Sequence, residues 1–248
     1  MNRSLDVIAV LGRGIERVPA GGGARHWRPT FLVEKCKAGT FEHLGLRAGS
    51  IDPTDPDCII GGGNANVIAA LQLFETRPAK AVLFAYGDRS KYLRESHGPL
   101  EGAVMKYEFL RRLGNRAPEV LATVDLRGGL EQSPGIASNT LRELENIFEF
   151  ALAHSFRRIA IIGIGVHVPR VNLFCDSVLA KGAERFGGLR VELLHSETLL
   201  LERSERYRGH VEAMRASAAY ARNAAMEERG ITAFREGKYK SVQDVTKN

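Results

Sequence analysis

The chain has 248 residues, 44% of them apolar and 26% charged, the balance of an ordinary globular protein with room for one large domain. That apolar content excludes a mostly disordered chain, and the longest nearly unbroken apolar stretch, Ile159 to Val166, falls far short of the roughly 20 residues a helical membrane span needs. Thirty-five Lys and Arg against 29 Asp and Glu leave a formal charge of +6, which favours anionic partners; being diffuse and without interleaved aromatic residues, it disfavours a dedicated nucleic-acid binder.

Leu5 to Leu11 is a β-branched run that reads as a buried strand, and Gly12-Arg13-Gly14 reads as the turn that ends it. The next fifty residues are irregular, with Trp27 to Cys36 as an extended hairpin arm and Ile51 to Asp57 as turn chemistry with two prolines. Gly61-Gly62-Gly63 then leads into Asn64-Ala65-Asn66, either asparagine suiting the cap of a helix over Val67 to Glu75. Lys80 to Tyr86 is a second strand stopping at Gly87-Asp88, and a helix runs from about Leu100 to Leu113. Val120 to Val124 is a third strand, and Ser138-Asn139-Thr140 opens a helix whose Leu141, Leu144, Ile147, Phe148 and Leu152 form an apolar stripe. Arg157 to Gly163 is a strand, Pro169 to Phe186 a helix, and Leu189 to Leu194 a last strand.

Strands separated by helical segments predict an α/β fold: a Rossmann-like, doubly wound and mostly parallel sheet over residues 1–195, with 15–57 as an inserted element. Residues 196–248 read as a C-terminal helical extension. Its Met214, Ala218, Ala221 and Ala225 form a small-residue face suited to packing on the sheet domain or to a homodimer. The three cysteines, Cys36, Cys58 and Cys175, form no CxxC pair and read as small buried hydrophobes; with no secretory start in view, the expected location is the cytoplasm.

In an open parallel sheet, ligands bind beyond the carboxyl ends of the strands, where the strand order reverses. That rim gathers Gly12, Arg13, Gly14, Gly87, Asp88, Asn139, Thr140 and the Gly163 to Arg170 turn, and its helix N-termini suit phosphate or carboxylate. Gly12-Arg13-Gly14 lacks the third glycine of a dinucleotide fingerprint, and Gly61 to Gly63 lacks the Gly-Lys-Ser/Thr of a P-loop; Gly63 and Asn64 are read either as a turn or as a close approach to ligand. His167 and Arg170, three residues apart across a helix start, face one side: the histidine as acid, base or neutral donor, the arginine as an oxyanion clamp. Glu101 at its helix start suits the dipole or a ligand, and Asp88 suits a hydroxyl or a Mg²⁺ carried by a phosphorylated ligand. The histidines and acids show no HxH or HExxH spacing, so no structural metal is expected.

These motifs, in order, resemble the YdcF-like family, which includes the SanA- and ElyC-like envelope proteins. The resemblance rests on Asp6-Val-Ile-Ala-Val-Leu-Gly-Arg-Gly14, Tyr86-Gly87-Asp88, Glu101-Gly102-Ala-Val-Met105, Ala137-Ser138-Asn139-Thr140 and His167-Val-Pro-Arg170. The family's Thr-x-Glu-Asn continuation is here Thr140-Leu-Arg142-Glu143, and residues 15–57 have no counterpart. The resemblance implies a Rossmann-like domain whose cleft takes an anionic, nucleotide-like or adenosyl-type molecule, S-adenosylmethionine among them, without fixing whether the protein is an enzyme. The alternative is a non-catalytic sensor or assembly protein that dimerises through its C-terminal helix.

Overall fold

Leu5–Val10 (β1) is buried along its whole length, as a strand covered on both faces must be. The structure is a computed structural model that describes residues 4–19, 25–30, 33–37, 40–43, 58–85, 99–124 and 140–239. An antiparallel hairpin, Ile15–Pro19 (β2) with Arg25–Pro29 (β3), follows β1. Val33–Lys37 (β4) then pairs antiparallel with Thr40–His43 (β5) and Cys58–Ile60 (β6). The expected arm from Trp27 to Cys36 is thus divided: Trp27 belongs to β3 and Cys36 to β4, in separate sheets.

Gly63–Thr76 (α1) leads to Ala79–Phe84 (β7), and Glu101–Leu113 (α2) with a 3₁₀ turn leads to Leu121–Val124 (β8). Thr140–Ala153 (α3), Arg158–Gly163 (β9), Val168–Lys181 (α4), Ala183–Phe186 (α5) and Arg190–His195 (β10) complete the alternation. The residue before α1 is Gly62, at a φ of 125°, and not an asparagine. Asn66 instead lies inside the helix and donates from Nδ2 to Leu11 O at 2.8 Å.

The five-stranded sheet has the order β10-β9-β1-β7-β8 and is parallel throughout. The chain therefore steps from β1 to β7 and β8, then returns to β9 and β10 on the far side of β1. This is the Rossmann-like, doubly wound α/β fold, with its strand order reversing between β1 and β9.

Period-two alternation divides the core. Ile8, Val10, Val82, Phe84, Ala160 and Ile162 face α1 and α2 on one side of the sheet. Val7, Ala9, Ala81, Leu83, Ile159 and Ile161 face α3 and α4 on the other. The stripe expected on α3 is realised, with Leu144, Ile147 and Phe148 buried in that second layer. Cys175 joins it, and burial pushes its thiol up to about 12, so it is an inert hydrophobe at neutral pH.

Ser196–Arg203 (α6), Arg208–Ala216 (α7) and Ala218–Arg235 (α8) fold back on this core. Leu199, Leu200, Tyr207, Val211, Met214 and Ala219 are buried in the first layer, and Phe234 meets Phe174 of α4 at 4.6 Å between ring centroids. The inward stripe of α8 is Ala219, Asn223, Glu227 and Ile231, whereas Ala221 and Ala225 point outward. Among the described residues, no helix is long and apolar enough to cross a membrane.

Candidate functional site

At the reversal in strand order, where folds of this class carry their crevice, two turns lie side by side: Leu11 to Gly14 after β1 and Gly163 to His167 after β9. Leu11 N–H donates to Ile162 O at 3.0 Å, binding the turns together at their base. Thr30 closes the first turn: its hydroxyl oxygen lies 2.9 Å from Arg13 O and 3.0 Å from Gly14 O and accepts from the N–H groups of Gly62 and Gly63.

Arg13, His167 and Arg170 converge here on one carboxylate, Glu227 of α8. Arg170 Nε lies 2.7 Å from Glu227 Oε2, but its N–H is not aimed along that line, so the contact is an ion pair and not an aligned hydrogen bond. Arg170 also donates from Nη2 to Glu227 Oε1 at 3.5 Å. Arg13 Nη1 stands 4.0 Å from Glu227 Oε1, and its Nη2 donates to Asn223 Oδ1 at 3.1 Å, one turn earlier on α8. His167 Nδ1 is 3.0 Å from Glu227 Oε2, and Nε2 is 3.4 Å from Thr140 Oγ1. Although His167 precedes α4, its ring makes no cap hydrogen bond.

These contacts fix the imidazole's tautomer. A carboxylate oxygen at Nδ1 requires the proton on that nitrogen, which leaves the Nε2 lone pair facing the Thr140 hydroxyl. Arg170 Nη2, 3.3 Å from Nδ1, is then a neighbour and not a donor to it. Burial lowers the His167 pKa despite the Glu227 carboxylate, so the ring is neutral near pH 7. Burial also opposes the charge on Glu227, but His167, Arg170 and Arg13 outweigh it and hold that carboxyl below its ordinary range. Burial presses Arg13 below its ordinary value as well, with Glu227 resisting.

Each turn in addition holds a buried glutamate. Gly14 N–H donates to Glu101 Oε1 in a short contact, and Gly165 N–H donates to both carboxylate oxygens of Glu197, at 2.9 and 2.7 Å. A Cβ on Gly12 would stand 2.9 Å from Glu101 Oε1, and one on Gly165 would stand 2.8 Å from Glu197 Oε1. In nucleotide-binding turns such glycines admit a phosphate; here they admit side chains of the same molecule. Burial raises the pKa of Glu101 even against the N–H groups of Gly14 and Arg13. Replacing Gly165 by Ala should push Glu197 off its amide and cost roughly 1–3 kcal/mol in urea unfolding. A change below about 0.5 kcal/mol, the scatter of neutral substitutions, would show that the carboxylate needs no such fit.

Of the residues singled out in the sequence, Gly12, Arg13, Gly14, Glu101, Thr140, His167 and Arg170 thus meet around this crevice. Gly63 backs the first turn, where its Cβ position is 2.7 Å from Gly14 O. Asn64 faces away and accepts from Arg112 Nη2 at 3.3 Å. Gly87, Asp88 and Asn139 lie outside the described residues. Sequence reasoning passed over Thr30, Glu197, Asn223 and Glu227, and read Asn66 only as a helix cap. Asn66 is fully buried, and its Oδ1 has no partner among the described residues. Among the described residues, no group of three or more His, Cys, Asp or Glu is placed to hold a metal ion.

The arrangement can do two things chemically. Guanidiniums from the β1 turn and the start of α4 can share an oxyanion, and a neutral, oriented imidazole can take a proton from a hydroxyl at Nε2. Comparison of the chain with protein-family models, with curated proteins and with solved structures gives no match.

Proposed function

We propose that this is a cytoplasmic, YdcF-like protein that binds an anionic small molecule, nucleotide-like or adenosyl-type, in the crevice between the β1 and β9 turns. Arg13 and Arg170 hold the anion, and His167 orients it or takes a proton from it. The observation that carries this reading is the convergence of Arg13, His167 and Arg170 on a single carboxylate, Glu227, at the point where strand order reverses. Glu227 occupies the position of a ligand anion, so the ligand competes with it. The chain's scattered cysteines support a reducing compartment.

Native mass spectrometry of the purified protein, followed by thermal shift with S-adenosylmethionine and AMP, tests the reading. A ligand at about a hundred times its Kd should add about 2.7 kcal/mol of stability to the native chain. Arg170→Ala should lose that gain. Arg170→Lys, which keeps an ion pair with Glu227 but lacks the planar fork, should retain only part of it. If no molecule co-purifies and neither probe shifts Tm, or if the shift persists in Arg170→Ala, the proposal fails.

A further inference from the structure

A cavity of about 390 Å³ opens on the outer side of α2, walled by β3 and the first turn of α1, and it shares no residue with the crevice. Its lining is mixed. Trp27, Pro29, Val104 and Tyr107 form an apolar and aromatic wall, Arg28, Arg111 and Arg112 bring guanidiniums to it, and Asn64 and the Glu108 carboxylate stand beside them.

The wall is rigid where it meets the fold and open where it meets solvent. Trp27 packs with Ile15 and Val104 in a small cluster of its own, whereas Tyr107 is 68% exposed. An aromatic ring so exposed on a helix gains nothing from the core and is available to a flat partner.

The cationic side is held in place. Glu108 accepts from Arg111 Nε at 2.8 Å and Nη2 at 2.7 Å, and from Arg112 Nε at 2.7 Å. Arg112 Nη2 is anchored in turn on Asn64 Oδ1 at 3.3 Å. One carboxylate therefore serves two guanidiniums, which leaves this trio with a surplus positive charge and N–H donors beyond those used. Fixed guanidiniums recognise planar or tetrahedral oxyanions, and aromatic walls take a ring. The volume lies at the low end of the roughly 300–1,000 Å³ of small-molecule sites, which suits one ring system with one anionic group.

We propose that this cavity is a second ligand site for an aromatic phosphate, its ring against Trp27 and Tyr107 and its phosphate on Arg111 and Arg112. The proposal stands apart from the crevice and survives or fails without it.

Trp27 is the only tryptophan in the chain, so fluorescence excited at the red edge, where tyrosine does not absorb, reports on the surroundings of this one residue. The native protein is titrated with phenyl phosphate and with AMP, and separately with phenol and inorganic phosphate, with calorimetry run in parallel in case the emission is insensitive. Saturable binding is expected for at least one of the two aromatic phosphates, and the tighter one identifies the source as phenolic or nucleotide. Phenol and phosphate alone should bind at least about tenfold more weakly, because each keeps only half of the contacts. The double substitution Arg111→Gln/Arg112→Gln, on an exposed helix face, should weaken binding by about tenfold or more while the far-UV spectrum is unchanged. The tryptophan signal of phenyl phosphate should persist in Arg170→Lys, whatever that substitution does to AMP at the crevice. No saturable binding at millimolar concentration by either method, binding that survives the double substitution, or a phenyl phosphate signal lost with Arg170→Lys would each overturn the assignment, the last by moving the ligand to the crevice.

Discussion

Glu227→Ala should lower stability by about 3 kcal/mol, and small carboxylates added to the buffer should restore part of the loss. The carboxylate is 6% exposed and faces Arg170, His167 and Arg13 together. Truncation leaves two mostly buried guanidiniums without their shared acid, and breaking a buried pair from one side typically costs 3–5 kcal/mol. The lower end applies because both arginines keep some exposure. In a domain of this length that corresponds to a fall in Tm of about 6–12 °C. Acetate or formate fits the space vacated by the side chain. Either should therefore raise the Tm of Glu227→Ala well beyond its effect on the native protein, with chloride at equal ionic strength as the control. A loss below about 1 kcal/mol, the worth of an exposed ion pair, would mean that the guanidiniums do not depend on this carboxylate. Equal responses to acetate and chloride would mean that the position does not accept a free anion.

The same residue marks how far the sequence could be read. The sheet was legible because Leu5–Val10 and Arg158–Gly163 are buried on both faces, and a strand covered on both faces appears as a continuous apolar run. The stripe on α3 was legible for the matching reason, a helical period with one apolar face. Residues 15–57 were not, because β4 reads Val33-Glu-Lys-Cys-Lys37, without alternation and with three charges in five residues, and depends on pairing with β5 and β6. The cationic half of the crevice could be named because glycine turns and a His-x-x-Arg start follow buried strands. Glu227 could not, since it lies in Met226-Glu-Glu-Arg229, which looks like any solvated helix face, and meets His167 from 60 positions away. The signal was the four-residue spacing Ala219, Asn223, Glu227, Ile231: two polar residues on a line that begins and ends in buried apolar ones. Choosing the face with more alanines selected Ala221 and Ala225, which are exposed.

At the opposite, amino-terminal end of the sheet, Asp6→Ala should destabilise the fold by about 3 kcal/mol at neutral pH, and this difference should shrink in acid. Asp6 accepts at Oδ2 from Arg157 N–H at 3.0 Å and Arg158 N–H at 2.9 Å, and its Oδ1 pairs with Lys80 Nζ at 3.0 Å. Its side chain is 7% exposed, so alanine would strand two backbone donors and deprive the Lys80 ammonium of its partner; hydrogen bonds to a charged group contribute about 1.5–3 kcal/mol each. Burial alone would raise the Asp6 pKa, but the two N–H groups and Lys80 outweigh it and hold the carboxyl well below the ordinary range. A folded pKa depressed in this way contributes stability in full above the unfolded value of about 3.9, and loses it as pH falls toward the folded value. Urea unfolding of native and Asp6→Ala protein should therefore differ by a constant amount between about pH 5 and pH 8, with the difference narrowing below about pH 4. Lys80 is 64% exposed, and salt screens such a cation, so added salt should reduce the difference only slightly. A difference that stays constant to about pH 2, or that salt removes, would show that the backbone N–H groups are not what holds this carboxylate ionised.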